Sequence, residues 1–248
     1  MGSNKRSNRA PTKGAGVIAI IPARGGSKRI PRKNIKSFMG KPIIEYSIDV
    51  AFDAKCFDTV MVSTDDCVTA NVAKKAGAEV PFMRSKKNSS DKATIASAVI
   101  EVIREYKKRG EEFEYLCVIL ATAPMLSASI IKRAFKLLQQ KSFDTVVPIV
   151  EFDYPVQRRL QVIDGLVSMV EKENENKRSQ DLPPFYHDAG MFVWAKTDAL
   201  LKNGTFFVKK MGAVVLPGAI VQDIDDEDDW KIAEAKFQAI KKAKNRIP

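Results

Sequence analysis

Residues 21–34 read IPARGGSKRIPRKN and come directly after the apolar run VIAI at 17–20. The Val/Ile-rich run has the composition of a buried strand. The stretch beyond it carries two glycines and five basic side chains. A loop of this kind at a strand end binds phosphate through exposed backbone N–H groups helped by mobile cations. Gly25 and Gly26 let the backbone approach a ligand closely. Arg24, Lys28, Arg29, Arg32 and Lys33 supply charge, arginine in a fork suited to paired contacts with an anion. The spacing is neither GxxxxGK[ST] nor GxGxxG, and GAGVIA at 14–19 runs into the strand instead of coming after it. On residue chemistry alone, a polyphosphate seat and a solvated basic loop both stay open.

Outward from this loop the chain alternates. GVIAIIP (16–22), DTVMVST (58–64), YLCVILA (115–121) and DTVVPIV (144–150) read as buried strands. Segments 42–54, 67–77, 91–109 and 128–140 place apolar residues at helical spacing; in 91–109, Ile95, Val99, Val102, Ile103 and Tyr106 form one stripe. Pro42 suits the first turn of its helix, where a missing N–H costs nothing. The alternation predicts an α/β fold of βαβ units around a doubly wound, mostly parallel sheet. Ligands of such sheets bind beyond the carboxyl ends of the strands, where the basic loop lies. After residue 150 the pattern gives way to short β-like pieces, an Asp-Gly turn at 164–165 and a polar run, read as an insertion or arm over about 151–190. MFVWA (191–195) and GAVVLP (212–217) resume strands, and 226–244 closes the chain as a helix. Residues 1–16 read as a disordered basic lead, and 17–248 as one domain.

The 248 residues carry a net charge of +11, which raises the question of nucleic acid. Most of that charge is terminal: residues 1–16 contribute +4 and 231–248 contribute +5, so the body keeps +2. No aromatic-interleaved basic stripe is present to stack bases, and nucleic acid is not expected as the main partner. Cys56, Cys67 and Cys117 have none of the spacings of zinc or redox motifs and read as reduced thiols of a cytoplasmic protein. No apolar run reaches the roughly 20 residues that cross a bilayer, and no secretory signal stands behind the basic start.

The stretch IPARGGSKRIPRKN resembles the signature of the cytidylyltransferases that make CMP-activated nonulosonic acids, the CMP-sialic acid synthetase family, and the resemblance extends over nearly the whole chain after residue 16. It implies a Rossmann-like fold of the nucleotide-diphospho-sugar transferase type. It also implies that Ala23, Arg24, Gly25, Ser27, Lys28, Lys33 and Asn34 surround CTP, with Arg24 and Lys28 on the triphosphate. FMRSKKNSSDKAT (82–94) resembles the family segment that would set Arg84 and Ser85 near cytosine, with Asp91 capping the next helix.

VQDIDDEDDW (221–230) is read in two parts. Asp226 to Asp229 suit a helix N-terminus, whose dipole favours negative charge. Asp223 and Asp225, two residues apart in an extended segment, point the same way and offer hard oxygen donors to Mg²⁺, which keeps waters and phosphate oxygens as its other ligands. The family carries a matching Asp-Ile-Asp whose acidic pair binds the catalytic metal, so Asp223 and Asp225 are assigned to Mg²⁺ and Asp225 to catalysis beside Arg24 and Lys28.

On the acceptor side, ILATAPM (119–125) matches the family element LQPTSP at Thr122 and Pro124, whereas Leu120 and Ala121 depart from it. KRSQDLPPFYHDAGMFVW (177–194) resembles the pseudaminic acid branch, which implies Arg178 as a clamp on the acceptor carboxylate and Gln180, Tyr186, His187 and Asp188 as readers of hydroxyl and acetamido groups. His187, the one histidine, reads equally as a hydrogen-bonded structural residue. Met191 stands where that branch has glutamine. The implied reaction joins CMP from CTP to the anomeric hydroxyl of a nonulosonic acid, best pseudaminic acid, with release of pyrophosphate. Alternatives are N-acetylneuraminate, legionaminate or Kdo as acceptor, an idle nucleotide-binding module, and a DNA-binding protein acting through its basic termini. A homodimer joined through the 151–190 arm is implied by the same resemblance.

Overall fold

The computed structural model describes residues 16–244. In chain order the elements are β1 (Gly16–Pro22), β2 (Ser37–Phe38), β3 (Lys41–Pro42), α1 (Ile43–Ala54), β4 (Thr59–Ser63), α2 (Cys67–Lys75), α3 (Lys86–Ser89), α4 (Ile95–Lys108), β5 (Phe113–Ile119), α5 (Ala128–Gln140), β6 (Thr145–Glu151), β7 (Leu160–Ile163), β8 (Leu166–Met169), β9 (Tyr186–Asp188), β10 (Phe192–Lys196), α6 (Thr197–Asn203), β11 (Met211–Leu216) and α7 (Glu227–Lys244). The expected lead lies outside the described residues except for Gly16, which opens β1. No helix among the described residues is long and apolar enough to cross a membrane.

The main sheet runs β11-β6-β10-β5-β1-β4, with β9 pairing β6. β1 is parallel to both β4 and β5, and β11 is parallel to β6. β10 is antiparallel to both of its neighbours, β5 and β6. The fold is therefore α/β with a mostly parallel sheet, as the alternation predicts. The periodicity of MFVWA could not reveal its reversed direction. β1, β4 and β5 are buried on both faces by α1, α2 and α5 on one side and α4 on the other, which explains their unbroken apolar composition. The chain leaves β1 toward β4 and then crosses back to β5 on β1's other edge. The topological switch point, where such sheets bind ligands, lies between β1 and β5.

Between β6 and β10 the chain projects the β7–β8 hairpin. Its Asp164-Gly165 turn has positive φ at both residues, 50° and 78°, the conformation a two-residue hairpin loop favours. β9 and β10 use the same edge of β6, interrupted at Ala189–Met191, where Gly190 takes φ 59° and Met191 turns its carbonyl to the Leu120 amide.

Candidate active site

A cleft of about 510 Å³ opens at the switch point. Three walls meet there: the loop after β1 with Arg24, Lys28 and Arg29; the segment from Arg84 to Ala98; and the end of β5 with Leu120 and Thr122. Asp225 closes one side.

The basic loop is held from below. Asn34 donates its amide to the Arg24 carbonyl at 2.9 Å, and the Gly25 N–H donates to the Asp65 carboxylate at 2.9 Å. A methyl group on Gly25 would come within 2.8 Å of Asp66 Cβ, so this close approach requires glycine. Asp66 is itself fixed as the cap of α2, accepting from the Thr69 N–H and hydroxyl. Arg24 pairs with Asp91 at 2.8 Å, Lys28 reaches the second oxygen of the same carboxylate, and Arg29 pairs with Asp225 at 2.8 Å. Ser27 and Lys33 also line the cleft. Ala23 does not: it is fully buried beneath the loop and its N–H donates to the Ser63 carbonyl.

An apolar cluster joins this loop to the acidic segment. Ile30 from the loop, Phe38 from β2 and Ile43 from α1 bury against Ile224, Trp230 and Ala233. Trp230 meets Phe38 edge-on at 5.4 Å and lies under the Lys36 ammonium at 4.6 Å, while Lys36 pairs with Glu227. Ile224 points into the cluster, so its neighbours Asp223 and Asp225 point away from it together. Lys33 donates to the Ile224 carbonyl and lies 3.7 Å from Asp225. Burial, and then the nearby charge of Asp225, raise the Asp223 pKa above the ordinary carboxylate range. Among the described residues no group of three or more His, Cys, Asp or Glu side chains could hold a metal ion. The donor set is two carboxylates close enough for the charge of Asp225 to be felt at Asp223. That suits a cation taking its remaining ligands from water and phosphate. Asp226 caps α7, accepting from the Asp228 and Asp229 N–H groups, and Asp229 returns the contact to the Asp225 and Asp226 N–H groups; residues 226–229 are a helix start, as expected.

On the second wall, Arg84 is buried, its guanidinium donating to the Ser63 hydroxyl at 3.0 Å and to the Ser63 carbonyl. Burial lowers its pKa, partly offset by Asp65 and Glu101. Ser85 faces away from the cleft; it caps α3, with its N–H and hydroxyl donating to Glu101. The cap expected at Asp91 is Thr94 instead: α4 starts at Ile95, with the Thr94 hydroxyl accepting from the Ser97 N–H. Asp91 is drawn off to Arg24 and Lys28, and the hydrogen bond from Lys28, then that from Arg24, holds its pKa below the usual carboxylate range.

On the acceptor side, Leu120 joins the cleft to an adjoining pocket of about 370 Å³, walled by Ile95, Met191, Phe206 and Phe207 and reached by Asp188. Asp188 accepts from the Gly190 N–H at 2.9 Å. Arg178, Gln180, Tyr186 and His187 are not among the residues lining this chain's cleft or its adjoining pocket. Arg178 pairs with Asp181 at 2.8 Å. His187 lies against the Phe152 ring at 4.8 Å with Nδ1 near the Asp188 carbonyl, and alternation along β9 turns it opposite to Tyr186 and Asp188.

Residues 18–210 match the sequence profile of the Cytidylyltransferase family. The chain belongs to that family. This cytidylyltransferase is 39% identical over 222 residues to the pseudaminic acid cytidylyltransferase of Campylobacter jejuni strain 81-176, covering 89% of this chain and 96% of that one. It is 28% identical over 230 residues to the CMP-N,N′-diacetyllegionaminic acid synthase of Legionella pneumophila strain Philadelphia 1, covering 88% and 94%. Among solved structures, CMP-2-keto-3-deoxy-manno-octonic acid synthetase in complex with CTP superposes with a TM-score of 0.68 at 14% identity, covering 91% of this chain and all of that one, a likeness of fold.

Three groups at or behind the cytidylyltransferase cleft were not singled out from sequence: Asn88, which lines it, and Asp65 and Glu101, which hold its lining segments through Gly25, Ser85 and Asn88. Asp65 sits in the STDD turn after β4, and only the TDD cluster at a strand end hinted at a role. Glu101 reads as an ordinary exposed position on an amphipathic helix.

Proposed function

We propose that this cytidylyltransferase transfers CMP from CTP to the anomeric hydroxyl of a nonulosonic acid, with pseudaminic acid the acceptor favoured by its relatives. The observation that carries this reading is the meeting of basic loop, Asp225 and Arg84 wall in one cleft at the switch point. Arg24, Lys28 and Arg29 receive the triphosphate, exchanging exposed carboxylate partners for phosphate oxygens. Those pairs are solvent-exposed and screened by water and salt, so they yield readily. The neutral wall of Ala93, Ile95 and Ala98 takes the base, with Arg84 beneath it. The acceptor enters beside Leu120 and Thr122, and the apolar pocket with Phe206 and Phe207 receives its acyl and deoxy groups, Asp188 offering a carboxylate at the rim.

The anomeric hydroxyl attacks the α-phosphorus in line and pyrophosphate leaves toward Arg24 and Lys28, whose charges stabilise it as it departs. Asp223 and Asp225 are the residues to hold Mg²⁺, which when bound polarises phosphate oxygens and lowers the pKa of a nearby hydroxyl. With ¹⁸O placed on the acceptor's anomeric hydroxyl, the label is expected in the bridging oxygen of the CMP-sugar and not in pyrophosphate. Label in pyrophosphate would overturn attack at the α-phosphorus. The reduced Cys56, Cys67 and Cys117 suit a reducing compartment, and we place the reaction in the cytoplasm.

The arm supports a homodimer. Leu160, Val162, Ile163, Leu166 and Val167 on the β7–β8 hairpin are all exposed, as is Tyr154, 84% open, and an isolated two-stranded ribbon is marginal in water. A second copy covering this surface would receive Arg178 and Gln180 from the arm at its own acceptor site. Light scattering is expected to give twice the chain mass and Leu166→Glu to shift it toward the single-chain mass. A wild-type monomer at micromolar concentration would contradict the dimer.

A further inference from the structure

Glu101 stands on α4 behind the second wall and collects three donors from the α3 turn: the Ser85 N–H at 2.7 Å, the Ser85 hydroxyl at 2.6 Å and the Asn88 side-chain amide. Burial on its own would raise the Glu101 pKa, but the bonds from Ser85 and Asn88 outweigh it and leave the pKa lowered. An ionised carboxylate only accepts hydrogen bonds, so the amide facing it must present its NH₂. The orientation of Asn88 is thereby decided by chemistry: Nδ2 is committed to Glu101, and Oδ1 is left as a pure acceptor. Asn88 is half-buried and lines the cleft, and among the described residues its Oδ1 has no hydrogen-bond partner. It shares this wall of the cleft with Ala93, Ile95 and Ala98.

We propose that Asn88 is a base-reading residue: its side-chain carbonyl, locked in orientation by Glu101, accepts a hydrogen bond from the exocyclic amino group of cytosine and so separates CTP from UTP. This rests on the reading of the cleft as the CTP site. Cytosine carries an amino donor at position 4, where uracil carries a carbonyl acceptor. Opposite uracil, two acceptors would face each other in a partly dehydrated site, and neither would be satisfied. Glu101 acts through Asn88, as a positioning residue. Glutamine at 101 could donate to Asn88 Oδ1 and let the amide turn round to present its NH₂ to the base.

The test is calorimetric titration of the full chain with CTP and with UTP, in the wild type, Asn88→Ala and Glu101→Gln, with thermal melting to check folding. The wild type is expected to prefer CTP, and Asn88→Ala to reduce the CTP-to-UTP affinity ratio about tenfold. Glu101→Gln, nearly isosteric, is expected to weaken CTP and strengthen UTP. Unchanged discrimination in Asn88→Ala, or equal weakening of both nucleotides in both variants, would overturn the proposal while CTP binding itself stands. A wild type that binds neither nucleotide would overturn the cleft reading on which it rests.

Discussion

Asp225→Asn is expected to lower kcat for CMP transfer by about 10³-fold, the scale at which removing a preorganised charged group from a reacting phosphate costs rate. Stability should hardly change. The partners of Asp225 are Arg29, 66% exposed, and Lys33 at 3.7 Å, and exposed pairs of this kind contribute about 0–1 kcal/mol. The backbone at this position is fixed independently, by the Asp225 N–H donating to Asp229 and by Ile224 in its apolar cluster. Asparagine preserves the volume but removes the charge that would face a cation. The measurement is steady-state turnover with a Mg²⁺ titration, beside thermal melting. Near-normal turnover with unchanged Mg²⁺ dependence would remove Asp225 from the catalytic set.

Trp230→Ala is expected to produce a large stability loss. Trp230 is 4% exposed and packs edge-on against Phe38, and cutting a buried tryptophan to alanine costs about 3–5 kcal/mol. For a chain of this size that is a drop in Tm of roughly 10 °C. The consequence reaches the site, because the same cluster holds Ile30 of the basic loop against Ile224 of the acidic segment. With the cluster loosened, the two halves of the triphosphate seat lose their fixed separation, and KM for CTP should rise well before the protein melts. Measuring KM below the melting range separates the effects. An unchanged KM in a destabilised variant would show that the loop and the acidic pair are positioned independently of the cluster.

The sequence made legible whatever depends on local pattern. The Val/Ile runs at 16–22, 58–64, 115–121 and 144–150 became strands within two residues of the expected ends, and the Asp-Gly at 164–165 made the expected hairpin turn. Asp226 to Asp229 start α7 because capping is decided within one turn of chain. The features that stayed hidden were decided at long range. Whether Asp91 or Thr94 caps α4 turns on Arg24 and Lys28, more than sixty residues away, which compete for the Asp91 carboxylate. β10 runs antiparallel because the arm reverses the chain before it, and nothing inside MFVWA records that. Asn88 and Glu101 lie thirteen residues apart on different helices, and neither residue type signals a role until α3 folds back on α4. The motif placed Arg24, Ser27, Lys28 and Lys33 on the cleft. It could not tell that Ala23 lies under the loop and Ser85 behind the wall, since adjacent positions in a turn face in unrelated directions.

That this cleft joins CMP to a nonulosonic acid is tested most directly by pyrophosphate release from CTP and Mg²⁺. Release is measured against pseudaminic acid, legionaminic acid, N-acetylneuraminic acid and Kdo, with a no-acceptor control. Rapid release is expected with pseudaminic acid, slower or none with the others, and none without an acceptor. Release with none of the four acids, from a folded protein that binds CTP, would contradict CMP transfer to this class of sugar.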